Sequence, residues 1–164
     1  MYLLGSVNKT WSDTFYKNLK FVKQSPSNKE LLEWRKQGYM HTSMTGSMYD
    51  NSNTMPNWVY EISSNFNLKN KTYTIYKMDT LEIMPAHIDH FTRYCEIFKI
   101  PKNKVKRAVV FLEDWRPGHY FEVNKKGIVN WKAGDYCIWE NYVEHAASNI
   151  GVEPRYTLQI TGHV

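Results

Sequence analysis

Residues 131–162 read WKAGDYCIWENYVEHAASNIGVEPRYTLQITG. Three runs in this stretch have strand composition: YCIWE (136–140), HAASN (145–149) and RYTLQITG (155–162). KAGD turns into the first run, and IGVEP turns the second back toward the third. Short strands with short connections suit a β-barrel or sandwich. Arg155 opens the third run, ten residues after His145. If the strand carrying His145 turns into an antiparallel one beginning at Arg155, both side chains can face one interior. A buried guanidinium without a partner is costly. A dicarboxylate ligand would meet it with two parallel hydrogen bonds.

Working back along the chain, LEIMPAHID (81–89) is the stretch the His145 segment has to meet. His87 and Asp89 are two apart, which on an extended strand puts both side chains on one face. A neutral imidazole and a carboxylate aimed at one point suit a divalent first-row metal. His145 is the best-placed third ligand. Two histidines and one carboxylate leave about half of an octahedron open, the facial arrangement of non-haem Fe(II) oxygenases. An HxD pair alone is weak, because it also occurs where a histidine is hydrogen-bonded in a turn. The distant His145 and Arg155 give it weight.

His87-x-Asp89, His145, Asn149 and Arg155 together resemble the Fe(II)- and 2-oxoglutarate-dependent oxygenases with a double-stranded β-helix core, a jelly-roll of cupin-like type. The resemblance covers about residues 72–162. It extends to the small prolyl and aspartyl/asparaginyl hydroxylase-like proteins, some of them carried by phages. It implies Fe(II) held by His87, Asp89 and His145, and 2-oxoglutarate held at its far carboxylate by Arg155. Tyr76 and Thr157 are candidates to share that carboxylate, and Arg93 and Lys106 are alternative cations. Asn149 either supports the co-substrate or caps the turn before Gly151. The implied reaction consumes O2 and hydroxylates an unactivated C–H bond of proline or of an Asp or Asn residue, free or in a peptide or protein. Succinate and carbon dioxide are the co-products.

The remaining segments fit the same architecture. Five further strands are predicted at 73–78, 81–87, 105–113, 119–123 and 128–131, making eight. DWRPG and NKKG supply turns between them, and DHFTRYCEIFKI reads as a short helix or an irregular crossing. Before this core, DTFYKNLKFVK suggests a helix capped by Ser12. NKELLEWRKQ suggests another, with Ser27 and Glu30 as a capping box, Gly38 as its end, and Leu31, Leu32 and Trp34 against the sheet. These helices are expected to brace one sheet. Residues 39–57 read as a polar loop or lid, and 58–71 as either helix or strand plus turn. The whole chain is expected to be one domain, with 1–71 supporting the 72–162 core.

Composition agrees with a folded sheet protein. The chain has 164 residues, of which 42% are hydrophobic and 15% aromatic. Its charge of +5, from 21 basic and 16 acidic residues, permits an anionic partner without demanding nucleic acid. Among the basic residues from Lys99 to Arg107, one on an inner strand could face the cavity. Cys95 and Cys137 form no metal or disulfide pattern and read as buried thiols. His119 could approach the cavity, His90 should face away, and His163 should be exposed. Trp139 should pack inside the barrel or beside the metal pocket. No stretch has the length of a membrane span, and a soluble cytoplasmic protein is expected, in the host cytoplasm if phage-encoded. A monomer or homodimer would take its substrate within the cleft. Two rival readings stand beside this one. A cupin-like metal enzyme without 2-oxoglutarate would keep the ligands but not need Arg155, and a non-enzymatic barrel could stack single-stranded nucleic acid on its aromatics.

Overall fold

The computed structural model describes residues 1–40 and 44–164. In chain order the elements are β1 (Tyr2–Ser6), α1 (Thr14–Lys17), β2 (Val22–Lys23), α2 (Asn28–Lys36), β3 (Ser47–Tyr49), α3 (Asn57–Ser64), β4 (Lys69–Met78), β5 (Glu82–Ile88), α4 (Thr92–Phe98), β6 (Val105–Phe111), β7 (His119–Val123), β8 (Lys126–Ile128), β9 (Asp135–Glu140), β10 (Glu144–Asn149) and β11 (Arg155–His163). They build two antiparallel sheets, one ordered β1-β9-β6-β11-β4-β3-β2 and one ordered β5-β10-β7-β8. Seven of the eight predicted core strands form where expected, the one predicted at 128–131 is shifted to Lys126–Ile128, and three N-terminal strands extend the larger sheet.

The larger sheet is apolar on both faces. On β6, Ala108 and Val110 pack toward α1 and α3 with Tyr16, Val59, Ile62, Leu158 and Ile160. Val109 and Phe111 point the other way and meet Phe121, Val123 and Ala147 of the smaller sheet, with Trp139 from β9. Period-two alternation thus sorts one strand's residues into two cores. The space between the sheets is where the candidate site lies.

The N-terminal helices do not act as one brace. α1 is a single turn, preceded by Asp13 rather than Ser12, with no side-chain cap. α2 has the predicted capping box: the Glu30 amide donates to the Ser27 hydroxyl at 3.3 Å, and the Ser27 amide donates to the Glu30 carboxylate at 2.8 Å. It stops at Gly38, whose φ of +99° an L side chain rarely adopts. Only Trp34 of α2 is buried, and Leu32 is exposed. Trp34 stands edge-on to His87 at 6.4 Å, so α2 covers the metal-ligand strand of the smaller sheet instead of the back of the larger one.

Other boundaries shift for local reasons. The 58–71 stretch is helix α3 followed by the start of β4. The 39–57 stretch holds β3 and a short 3-10 turn at Ser52–Thr54, while residues 41–43, including His41, lie outside the described residues. The hairpin turn after β7 is Asn124-Lys125, with φ of 49° and 62°, so β8 begins at Lys126 and ends at Ile128. β6 ends at Phe111, and Cys95 is half-buried rather than buried. His163 is buried, with its ring 3.0 Å from the Tyr94 hydroxyl. Among the described residues, no helix is long and apolar enough to cross a membrane.

Candidate metal centre

β5 does not run regularly into the site. Its ladder to β10 pairs His87 with His145 and Met84 with Ala147, so three steps on β5 oppose two on β10. The irregularity falls at Pro85-Ala86, where proline has no amide to give a ladder. Met84 and His87 consequently both line the interior, although three apart. The bulge also supplies a carbonyl: His87 Nδ1 lies 2.8 Å from the Pro85 oxygen. His145 Nδ1 lies 3.1 Å from the Val143 oxygen in the same i−2 relation. A nitrogen facing a carbonyl carries its proton, so each ring donates from Nδ1 and turns Nε2 toward Asp89.

Those two nitrogens meet Asp89. His145 Nε2 is 3.6 Å from Asp89 Oδ2, and His87 Nε2 is 4.0 Å from Oδ1. Donor atoms from all three residues lie within 4.8 Å of one another. Two donors each about 2.1 Å from one ion stand about 3.0 Å apart at right angles and about 4.2 Å apart when opposite. The observed separations therefore need only small adjustments to share a cation. Asp89 Oδ2 is buried with no hydrogen-bond donor, which is how a ligand oxygen looks before its metal is counted. The donor chemistry and this orphaned oxygen fit a divalent first-row ion.

Sequence reasoning left one residue of this centre unassigned. Arg107, on β6, donates from Nη1 to Asp89 Oδ1 at 3.0 Å. Burial would raise the Asp89 carboxyl, but the Arg107 guanidinium above all holds it below its ordinary value. Burial pulls His145 down to about 4, so the ring is neutral and available as a ligand. Its other face meets Trp139, with ring centroids 4.6 Å apart.

Arg155 shares the hollow with these residues. A cavity of about 320 Å³ is lined by His87, Asp89 and His145 at one end and by Arg155, Tyr76 and Thr157 as well. β10 and β11 are not a hairpin in one sheet: β10 pairs with β5 and β7, β11 with β4 and β6. His145 and Arg155 come from opposite sheets and face the same gap. The Arg155 guanidinium is 4% exposed and donates from Nη1 to the Tyr120 carbonyl at 3.1 Å, while Nε has no acceptor. Among the described residues no carboxylate lies within ion-pair distance of it, and burial pulls its pKa down to about 10. Tyr120 is three residues from Val123, which faces His145 across the ladder. That separates the two ends of the cavity by ~10 Å of strand.

Tyr76 projects into the cavity, and its hydroxyl accepts the Gly46 amide at 2.5 Å. A side chain at Gly46 would meet the Lys77 carbonyl at 2.3 Å, so only glycine allows that approach. Thr157 is buried on β11 two residues beyond Arg155. Asn149 is elsewhere. Its amide donates to the Met78 and Glu153 carbonyls and its oxygen accepts the Gly151 amide, so it fastens the β10–β11 turn to β4 and does not line the cavity. The expected co-substrate role of Asn149 is therefore corrected to the turn-capping one. His119 is buried, with Nε2 against the Glu153 carbonyl at 2.9 Å, outside the group of ligand atoms. Neither Arg93 nor Lys106 lines the cavity; Lys106 lies 3.5 Å from Glu140.

No family model matches the sequence, and no curated protein matches it. Solved structures do. A putative sugar phosphate isomerase of Acidithiobacillus ferrooxidans aligns over 94% of this chain and 74% of its own, with TM-score 0.50 and 9% identity. The fold is the cupin-like double-stranded β-helix. A predicted oxalate decarboxylase of Thermotoga maritima (73% of this chain, 81% of its own, TM-score 0.45, 15% identity) and the cupin domain of Schizosaccharomyces pombe Cnp3 (60%, 57%, 0.42, 13%) also align. At these identities the likeness is one of fold, and what this cupin-like chain does must be argued from its own cavity.

Proposed function

We propose that the protein is a non-haem Fe(II)- and 2-oxoglutarate-dependent dioxygenase that hydroxylates an unactivated C–H bond. One observation supports this above the rest: a buried guanidinium with no acidic partner shares one cavity with a two-histidine, one-carboxylate triad. A metal enzyme of this fold acting on an uncharged substrate would have no use for Arg155 in that position, and burying the charge would only destabilise it; an anionic ligand other than a keto acid is the second reading that Arg155 admits.

The chain's own groups would divide the work as follows. His87 and His145, with their Nδ1 protons tied to backbone carbonyls, and Asp89, through Oδ2, would hold Fe(II). Arg155 would bind the far carboxylate of 2-oxoglutarate, with Tyr76 and Thr157 beside it. Val109, Phe121 and Trp139 give the space between them an apolar wall, which strengthens each polar contact there. When bound, the iron and keto acid supply oxidising power from O2, releasing succinate and carbon dioxide. By the sequence resemblance, the substrate is proline or an Asp or Asn residue, free or in a peptide or protein.

Anaerobic titration of the Fe(II)-loaded protein with 2-oxoglutarate tests the reading. A visible charge-transfer band on chelation, and succinate formation that requires O2, are expected. Iron binding without either response would reject the keto acid and leave a metal protein of another kind.

A further inference from the structure

The geometry points to Arg107 as a positioning residue that limits Asp89 to one coordinating oxygen. This rests on the metal reading above. The two oxygens of Asp89 stand in unlike surroundings. Oδ1 accepts the Arg107 Nη1 proton at 3.0 Å, whereas Oδ2 has no donor and lies 3.6 Å from His145 Nε2. A carboxylate free to turn could offer both oxygens to one ion and occupy two positions. Oδ1 also lies 4.0 Å from His87 Nε2, but with Arg107 drawing on Oδ1 the unpartnered Oδ2 becomes the stronger donor, and an extra position stays available for a chelating ligand.

Arg107 is itself held firmly enough to do this. Its Nε donates to the Thr161 hydroxyl at 3.2 Å on the neighbouring strand, where the ladder pairs the two residues directly. Its guanidinium lies over the Phe91 ring at 5.1 Å, just before α4. The side chain is therefore fixed at its root, along its plane and at its tip. It lines both the inner cavity and an outer hollow of about 440 Å³, so Arg107 and Asp89 form part of the wall between them. An ordinary surface ion pair would not carry three such restraints.

The test replaces Arg107 with Leu and with Lys, and Thr161 with Val. Each protein is loaded with Co(II) without oxygen. The Co(II) absorption spectrum and the affinity for N-oxalylglycine, an inert mimic of the keto acid, are then read. For Arg107→Leu the spectrum should change as Asp89 takes up two positions, and the mimic should bind about 10- to 100-fold more weakly. Arg107→Lys should restore much of both, since it can still hold Oδ1. Thr161→Val keeps the charge but frees its root, and should give an intermediate spectrum; it serves if the leucine variant fails to fold. A wild-type spectrum and unchanged mimic affinity in the folded variants would overturn the role of Arg107 alone. If the unaltered protein fails to bind Co(II) through histidine, the metal reading falls and this inference with it.

Discussion

His87 and His145 are direct partners across the β5–β10 ladder, and their rings stand 4.3 Å apart, centroid to centroid. Each is oriented by a carbonyl two residues before it in sequence. Both candidate histidine ligands thus sit on paired strands, with Asp89 just past the end of β5, which makes the geometry of the candidate centre depend on register.

Replacing His87, Asp89 or His145 by Ala should abolish tight metal binding. Bound metal measured by elemental analysis should fall to background, while circular dichroism keeps the sheet signal. Retained metal in any one variant would remove that residue from the ligand set. Asp89→Ala should also melt earliest of the three, because it strands the Arg107 charge.

Arg155→Met should uncouple stability from function. Without ligand the variant should be more stable by ~1–3 kcal/mol, because a guanidinium lacking a counter-ion leaves the interior. Its dissociation constant for 2-oxoglutarate should rise by at least ~30-fold, with Fe(II) affinity little changed. Thermal melts without ligand and anaerobic calorimetry with it check the two halves separately.

Asn149→Ala should behave oppositely. Three hydrogen bonds to backbone groups disappear, so stability should fall by ~2–4 kcal/mol. Affinity for 2-oxoglutarate, measured on the folded fraction, should stay within about twofold of the parent, since ~0.4 kcal/mol is all such a change represents. A large specific loss would return Asn149 to the co-substrate.

The metal-free protein should lose stability on mild acidification. Burial holds both His145 and His119 down to about 4, from an ordinary 6.5. The unfolded chain therefore takes up two protons that the folded chain refuses. That stability is fully present above pH 6.5 and is lost as pH falls from there toward about 4. Denaturant melts from ~pH 7 to ~pH 4.5 should show a drop of a few kcal/mol. In His119→Phe about half of that drop should vanish, since one of the two groups is gone.

The order of the eight core strands was legible because Gly, Pro, Asn and Asp punctuate them. The candidate ligand residues stood out through the spacing of His87 and Asp89 together with the distant His145 and Arg155. Arg107 did not, and the reason is physical. β6 is covered on both faces, so its apolar residues show no alternation against polar ones that would tell inside from outside. Nothing in VKRAVVF distinguishes the inward Arg107 from its neighbour Lys106, which turns to Glu140. The Trp34 contact to His87 was equally hidden, since helical spacing says that a residue is buried without saying against which sheet. The short strand β3 exists through pairing to β4, and β2 through pairing to β3, and neither has a pattern of its own.

The extra residue at Pro85-Ala86 makes this chemistry a matter of counting as much as of identity. A chain shortened by Ala86 alone would still spell out both histidines, the aspartate and the arginine. Yet a straightened strand would swing one imidazole out into bulk water, and metal titration of that deletion should find a crippled centre. Homologues sought by letters would include such a chain. Only the tally of steps along one strand would turn it away.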